Sequence, residues 1–203
     1  MATTELLLAS SSPYRRQLLE RLGLPFTHAS PDIDEAPLPQ ELPEHLAVRL
    51  ATGKAQALAT RFPGRIIIGS DQVAALPDGT LLNKPGNHAQ AIAQLTRSSG
   101  QTVRFYTGLA VLDTRTGTLQ SHCEPFDAYF RQLTGEEIEN YLRIEQPYDC
   151  AGSFKMEGLG IALFSGLEGR DPNSLIGLPL IALIDILRDL GLNPLTQGQA
   201  KGD

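Results

Sequence analysis

Short apolar runs alternate along this chain with segments in which apolar residues recur every three or four positions. The first pattern is typical of buried strands and the second of helices, so their alternation favours an α/β fold. Strands are predicted at 6–9, 26–29, 66–68, 102–112 and 119–130, the last two forming a hairpin. Helices are predicted at 13–22, 43–62, 87–97, 134–145 and 179–190.

The length of 203 residues fits one large domain or two small lobes around a cleft. We find no internal repeat and predict a single domain over residues 1–203, with the polar residues 195–203 as a flexible tail. Two stretches have no predicted helix or strand. One is the proline-rich, acidic segment 31–43, which is expected to be a mobile loop, and the other is the glycine-rich region 152–177.

The charge and the cysteines exclude several classes of protein. Seventeen Lys and Arg residues against 23 Asp and Glu leave a net charge of −6, which argues against non-specific binding to nucleic-acid backbones. Cys123 and Cys150 are the only cysteines and lack a metal-binding spacing, so idle thiols are the favoured interpretation. No apolar run approaches the ~20 residues of a membrane-spanning helix, and we see no signal peptide. We therefore expect a cytoplasmic protein that acts on neither membranes nor nucleic acids.

The segment from Ser10 to Arg16 joins the first predicted strand to the first predicted helix, with Ser12 as N-cap and Pro13 at the first helical position. Backbone N–H groups at a helix start favour an anion, and two arginines on the first turn add forked donors for phosphate oxygens. A capped helix with solvated Arg15 and Arg16 explains the same residues equally well.

Lys54 lies in the same helical row as Leu46, Leu50 and Leu58, on the apolar side of its helix. A lysine in that place either extends to the surface or points into a cleft. Extension is the commoner outcome, so Lys54 indicates a binding site only in combination with other residues.

Asp71 follows three isoleucines, at the carboxyl end of the predicted strand 66–68. Ligands of open α/β sheets bind at that edge, and Asp71 would share it with Ser10 if the two strands are parallel. Taken alone, Asp71 is equally a simple turn former.

Carboxylates and a lysine in two loops extend the candidate site. Asp34 and Glu35 could contribute to an Mg²⁺ or Mn²⁺ site, which needs only one or two carboxylates plus substrate phosphates, although a solvated acidic loop explains most such acids. Lys84 is a candidate phosphate contact or an exposed loop lysine. The chain has no Walker A loop, dinucleotide glycine fingerprint, nucleophile elbow or metal-spaced histidines. By themselves, the residues predict an α/β protein with a candidate anion cleft.

A set of short motifs, taken in order along residues 6–192, resembles the Maf family of nucleotide pyrophosphatases. Each motif is weak alone, and their order and spacing make the match. The motifs are Leu8-Ala9-Ser10 with Arg15-Arg16, Asp34-Glu35, Arg49-Leu50-Ala51 with Lys54-Ala55, Gly69-Ser70-Asp71, Lys84-Pro85, Ser99-Gly100, Ala151-Gly152, Glu157-Gly158 and Gly177-Leu178-Pro179.

The resemblance implies an elongated mixed β-sheet flanked by helices, with two lobes around a deep cleft and, in many members, a homodimer. It also implies hydrolysis between the α- and β-phosphates of a nucleoside triphosphate with a divalent metal cation, Mg²⁺ or Mn²⁺. In this division of roles, Asp71 is the general base and Glu35 helps to bind the metal. The triphosphate would be held by Ser10, Arg15, Arg16, Lys54, Lys84 and Lys155.

Three positions concern the base. Family members acting on thymidine and uridine triphosphates usually have Thr and Gln where this chain has Gln72 and Glu157, and Tyr14 precedes the arginine pair. The combination is similar to the subgroup acting on 7-methyl-GTP. An aromatic face attracts the cationic methylated ring, and a carboxylate accepts hydrogen bonds from guanine's N1–H and amino group. The alternatives are a dTTP/UTP-type pyrophosphatase of the same family and a nucleotide-binding regulator of septum formation.

Overall fold

The computed structural model of the chain describes residues 5–197, in which six strands form one mixed sheet. The strands are β1 (Leu6–Ala9), β2 (Phe26–Ala29), β3 (Ile66–Ala75), β4 (Thr102–Asp113), β5 (Thr118–Phe130) and β6 (Phe164–Gly169). Their order across the sheet is β2-β1-β3-β4-β5-β6. Strand β1 is parallel to both of its neighbours, and the remaining pairs are antiparallel.

Seven α-helices and two short 3-10 turns connect and cover the strands in the described part of the chain. The helices are α1 (Pro13–Glu20), α2 (Pro43–Ala57), α3 (His88–Ser98), α4 (Gly135–Glu145), α5 (Pro172–Ile176), α6 (Leu180–Asp189) and α7 (Pro194–Gln197). The 3-10 turns are Ala151–Ser153 and Leu159–Leu163. The α/β prediction is therefore confirmed.

The predicted helix starts are found where the capping residues stand. Ser12 accepts a hydrogen bond from the Arg15 backbone N–H at 3.3 Å, and Pro13 begins α1. Thr134 and Glu137 form the reciprocal capping box of α4. These caps use side-chain oxygens to satisfy backbone donors that have no partner inside the helix.

One predicted strand was wrong in extent, and one glycine-rich region contains elements that the sequence did not predict. Strand β3 does not stop at Ile68 but continues through Asp71 to Ala75, because β4 pairs with it along its whole length. The region 152–177 is not without regular structure, since it contains β6 and α5. Strand β6 contains two glycines and α5 has only five residues, so neither presents a helical or strand period.

The apolar core divides along the two long strands β3 and β4. Near one end, Ile68 and Leu109 pack with α1 and α6 on one face, and Ile67 packs with α2 on the other. Near the other end, Ala74 and Phe105 pack with α3 and α4. The middle of β3 therefore lies between two lobes, as the family resemblance implied.

Helix α2 lies directly against the middle of the sheet. A Cβ atom at Gly69 would collide with the Ala51 carbonyl, and one at Gly108 would collide with the Ala47 carbonyl. Glycine on both strands thus allows the helix backbone to approach the sheet closely. The approach brings Lys54, one turn after Ala51, next to the centre of β3.

The end of the chain is described only in part. Residues 195–197 belong to α7, and the remainder of the predicted flexible tail, 198–203, lies outside the described residues. No helix among residues 5–197 is both long and apolar enough to cross a membrane.

Candidate active site

A gap along one edge of β3 forms the site. Strand β1 ends at Ala9, opposite Gly69, and the next backbone pairing on this edge is at Ala74, whose carbonyl accepts from the Leu82 N–H at 2.8 Å. The Asp71 side chain lies between these two points. Asp71 is therefore at the edge predicted from the sequence, although its own strand continues beyond it.

The central cavity that fills this gap has a volume of about 620 Å³, within the usual range for a small-molecule site. Its walls come from both lobes. The polar and sulfur-containing lining residues are Ser10, Ser11, Ser12, Tyr14, Arg15, Ser30, Glu35, Lys54, Asp71, Gln72, Asn83, Lys84, Asp149, Cys150, Met156 and Glu157.

Lys54 points into the central cavity and contacts two carboxylates. Its ammonium Nζ donates to Asp71 Oδ1 at 2.5 Å and lies 2.7 Å from Glu35 Oε1. The lysine is only 7% exposed, so it does not extend to solvent. The two carboxylates therefore converge on one point where a cation is held.

Opposing effects act on Glu35. Desolvation favours its neutral form, but the hydrogen bond from Lys54 and the charges of Lys54, Lys84 and Arg15 together lower its pKa below the usual range. Glu35 is therefore an anion at neutral pH, facing three cations. Lys84 completes this group from the loop that follows β3.

Adjacent arginines on α1 face different surroundings. Arg15 lines the central cavity, and its Nε donates to the Gly177 carbonyl at 2.7 Å. Burial lowers the pKa of Arg15, and the charges of Asp71 and Glu35 partly offset that effect. Arg16 does not line the cavity, since its Nη1 lies 3.4 Å from His28 and its Nε 3.9 Å from Glu20. The structure thus places one of the two predicted arginine contacts in the cavity and the other outside it.

Helix α5 and the glycine that follows it are bound to β3 beside the site. Ser70 Oγ donates to the Gly177 carbonyl at 3.0 Å, the same oxygen that accepts from Arg15. Gln72 Nε2 donates to the carbonyls of Ser174 and Leu175 at 2.8 and 3.1 Å. Gln72 lines the cavity, and its amide N–H groups already hold α5 in place.

The far end of the central cavity is formed by Tyr14 and the segment 149–157. Tyr14, Asp149, Cys150 and Glu157 all line the cavity, and desolvation, followed by the charges of Cys150, Asp149 and Glu157, raises the pKa of Tyr14. Desolvation also raises the pKa of Glu157. The predicted base-recognition residues Tyr14 and Glu157 therefore both line the cavity.

Neither Lys155 nor Cys150 is placed to bind a phosphate or to act as a nucleophile. Lys155 does not line the cavity, because its Nζ donates to the Glu145 carbonyl at 2.7 Å. Cys150 does line it, but desolvation raises the pKa of its thiol to about 12, so it is a neutral thiol rather than a nucleophile. Both cysteines are free, as predicted.

Sequence reasoning missed several lining residues. Asn83, Asp149 and Met156 line the central cavity, and none belongs to a pattern that indicates a site. Their positions depend on loops that fold back over the sheet: the Gly86 N–H donates to the Tyr148 carbonyl at 2.9 Å. Only the tertiary contact reveals them.

Two carboxylates of the central cavity, Asp71 and Glu35, are the candidate protein ligands for a divalent cation. Among the described residues 5–197, no group of three or more His, Cys, Asp or Glu side chains could hold a metal. Asp71 and Glu35 nevertheless converge on one cation, and Mg²⁺ is commonly bound by one or two carboxylates plus substrate phosphates. The residues fit a metal that arrives with, or is completed by, a polyphosphate.

Comparison with known proteins gives a consistent picture. The family model described as "Maf-like protein" matches residues 5–190. A 7-methyl-GTP pyrophosphatase of Idiomarina loihiensis is 55% identical over 197 residues, covering 96% of this chain and 99% of that protein. A 7-methyl-GTP pyrophosphatase of Nitrosococcus oceani is 56% identical over 190 residues, covering 94% of this chain and 95% of that protein.

Among solved structures, a HAM1 protein from Coxiella burnetii is similar with a TM-score of 0.47 and 14% identity, over 64% of this chain and 75% of that one. The Ham1 protein of Staphylococcus aureus gives a TM-score of 0.46 and 9% identity, over 64% and 73%.

Proposed function

The chain belongs to the Maf family, and we propose that it hydrolyses 7-methyl-GTP to 7-methyl-GMP and pyrophosphate, removing a modified nucleotide from the pool. The two relatives that carry this activity in their names match nearly the whole chain. The observation that carries the proposal is the convergence of Asp71 and Glu35 on Lys54, in a cavity whose other end holds Tyr14 and Glu157.

The cationic groups at the end of the cavity where Asp71 lies suit a triphosphate. Arg15, Lys54 and Lys84 present three positive charges to one part of the cavity, close to the start of α1 at Pro13. Fixed cations and a helix start stabilise phosphate oxygens without reorganisation at the moment of reaction. The pyrophosphate leaving group keeps these contacts as the bond breaks.

Asp71 is suited to act as general base. Its carboxylate is held in place by Lys54 and lies on a strand paired on its other side with β4. As water attacks, Asp71 takes the water proton and the phosphoanhydride bond between the α- and β-phosphates breaks. A positioned carboxylate on a rigid strand keeps the proton acceptor at a fixed distance from the attacking water.

A divalent cation, Mg²⁺ or Mn²⁺, belongs to the same proposal. Glu35 and the substrate phosphates would hold it, and when bound it offsets negative charge on the phosphate oxygens. The support is the pair of carboxylates that share one ammonium group.

The far end would select the base. Methylation at N7 makes guanine cationic, and the Tyr14 ring offers such a cation an aromatic face. Glu157 can accept from the N1–H and amino group of guanine, a donor pair that uracil and thymine lack. The cationic base would also favour the ionised form of Glu157 against the desolvation that raises its pKa.

The test is a panel of nucleoside triphosphates, including 7-methyl-GTP, GTP, UTP and thymidine triphosphate, with Mg²⁺ or Mn²⁺ and separate detection of pyrophosphate and orthophosphate. We expect fast pyrophosphate release from 7-methyl-GTP and slow release from the others. Fast release from UTP would discard the base assignment and keep the reaction. Binding without release would favour the nucleotide-binding regulator, and orthophosphate would indicate a general phosphatase.

The net charge of −6 and the nucleotide-sized cavity support extending the proposal to a free nucleotide as substrate rather than nucleic acid. We further propose that the enzyme works in the cytoplasm, as expected from the sequence, and as a homodimer, as the family resemblance implies.

A further inference from the structure

The backbone around Glu157 is attached to the last turn of helix α4. Glu157 lies in an irregular turn between the two 3-10 segments, where no strand or helix fixes it. Two residues of α4, Tyr141 and Glu145, make side-chain or carbonyl contacts with the residues on either side of it. These contacts set the position of a residue that the proposed function assigns to base recognition.

Lys155 makes the first part of the attachment. Its backbone N–H donates to Tyr141 Oη at 3.0 Å, and its ammonium donates to the Glu145 carbonyl at 2.7 Å. Glu145 is the last residue of α4. Carbonyls at a helix end lack intrahelical donors, and the helix dipole favours a cation there. Lys155 therefore satisfies the helix end and fixes the turn from two of its own atoms.

Glu145 makes the second part. Its carboxylate Oε1 accepts from the Leu159 backbone N–H at 2.5 Å. The Lys155 carbonyl accepts from the Gly160 N–H at 3.1 Å, which closes the turn on itself. A Cβ at Gly158 would meet the Glu145 carboxylate, so this carboxylate lies directly against the turn.

We infer that Tyr141, Glu145 and Lys155 are positioning residues for Glu157 and so determine base selectivity without contacting the substrate. The inference rests on the proposed function, because it assumes that Glu157 recognises guanine. It also replaces the phosphate-binding role that the family resemblance implied for Lys155. A group fixed by neighbours loses effectiveness when displaced by even about 1 Å.

The experiment compares matched pairs of variants by one ratio: kcat/KM for 7-methyl-GTP divided by kcat/KM for UTP. Glu145→Ala removes the acceptor for the Leu159 N–H, whereas Glu145→Gln keeps an amide oxygen there. Lys155→Met removes the ammonium and keeps a stem of similar length, whereas Lys155→Arg keeps a cation at the helix end. We expect the ratio to fall about tenfold in the first member of each pair and to be largely retained in the second.

A direct phosphate contact for Lys155 predicts a different outcome. The triphosphate is common to both substrates, so Lys155→Met would then raise KM for both alike and leave the ratio unchanged. That result, or an unchanged ratio in Glu145→Ala, would overturn the inference.

Two measurements keep the outcomes distinct. Hydrogen exchange at the backbone amides of 155–160 should accelerate in Glu145→Ala and Lys155→Met, while the exchange of β3 amides stays slow if the fold is intact. A wild-type enzyme without preference for 7-methyl-GTP would defeat the proposed function itself. The wild type could show the preference, Glu157→Gln could lose it, and both Glu145→Ala and Lys155→Met could keep it. That result would defeat only the positioning role.

Discussion

The two ends of the central cavity are built from different kinds of backbone. At the end where Asp71 lies, Asp71, Arg15 and Lys54 stand on β3, α1 and α2, elements packed on the apolar core, and the loop residues Glu35 and Lys84 join them. At the end where Glu157 lies, most side chains stand on the irregular segment 149–157, held by hydrogen bonds to α4. Proton transfer needs a fixed distance, so it is served by rigid elements, whereas base selection can depend on a segment that varies without disturbing the sheet.

The largest effect is expected from Asp71→Asn. The amide cannot take a proton from water, so pyrophosphate release should fall more than a hundredfold for every nucleotide. Binding of 7-methyl-GTP, measured by calorimetry, should persist. Turnover near the wild-type rate would remove Asp71 from the mechanism, and equal losses on all substrates would place it at the reaction end.

The adjacent arginines of α1 provide a matched pair. Arg15→Ala should lower kcat/KM roughly tenfold to a hundredfold, as expected for losing a hydrogen-bonded charge at the phosphates. Arg16→Ala removes only exposed contacts to His28 and Glu20 and should lower kcat/KM less than about threefold. Thermal unfolding of both variants checks the Arg15 bond to Gly177. Equal losses of kcat/KM in the two variants would contradict the conclusion that α1 directs Arg15 into the cavity and Arg16 away from it.

At the other end, Glu157→Gln should lower the preference for 7-methyl-GTP over UTP by roughly tenfold. The amide replaces one acceptor by a donor, which faces the donor edge of guanine and does not attract the cationic ring. Steady-state kinetics on both nucleotides measure the ratio. An unchanged ratio would rule out the recognition role given to Glu157.

The smallest effect is a pH dependence of that preference. Desolvation raises the pKa of Glu157, so its carboxylate is protonated at higher pH than that of an ordinary Glu. The charge of Glu145 also raises this pKa, and the charge of Lys155 lowers it. The pKa of Glu35 is lowered, so Glu35 keeps its charge to lower pH. The ratio for 7-methyl-GTP over UTP should therefore fall a few-fold between about pH 7 and about pH 5. In Glu157→Gln the same ratio should stay flat, and a parallel decline in that variant would assign the effect to another group.

The two ends also differ in how far the sequence predicted them. Ser12, Pro13 and the isoleucines of β3 carry local signals, which predict Ser10 and Asp71 at one edge if β1 and β3 are parallel, as they are. Family resemblance supplied the roles. Local signals could not show that β3 continues past Asp71, because that extent depends on pairing with the distant β4.

The direction of individual side chains was also beyond prediction from the sequence. The spacing placed Lys54 on an apolar row without choosing between solvent and cleft, and the close approach of α2 to Gly69 decided it. The family resemblance implied phosphate-binding roles for Arg16 and Lys155, but both side chains contact other partners in the tertiary structure. Asp149 had no signal at all, since its place depends on loops that meet only in the folded chain.

The central claim, that reaction and base selection occupy separable ends of one cavity, is tested most directly by a double-mutant cycle. The measurement is kcat/KM for 7-methyl-GTP in the wild type, Arg15→Ala, Glu157→Gln and the double variant. Independent sites multiply their effects to within about twofold. We predict that outcome, and a coupling of about tenfold or more would show that the two ends act as one unit.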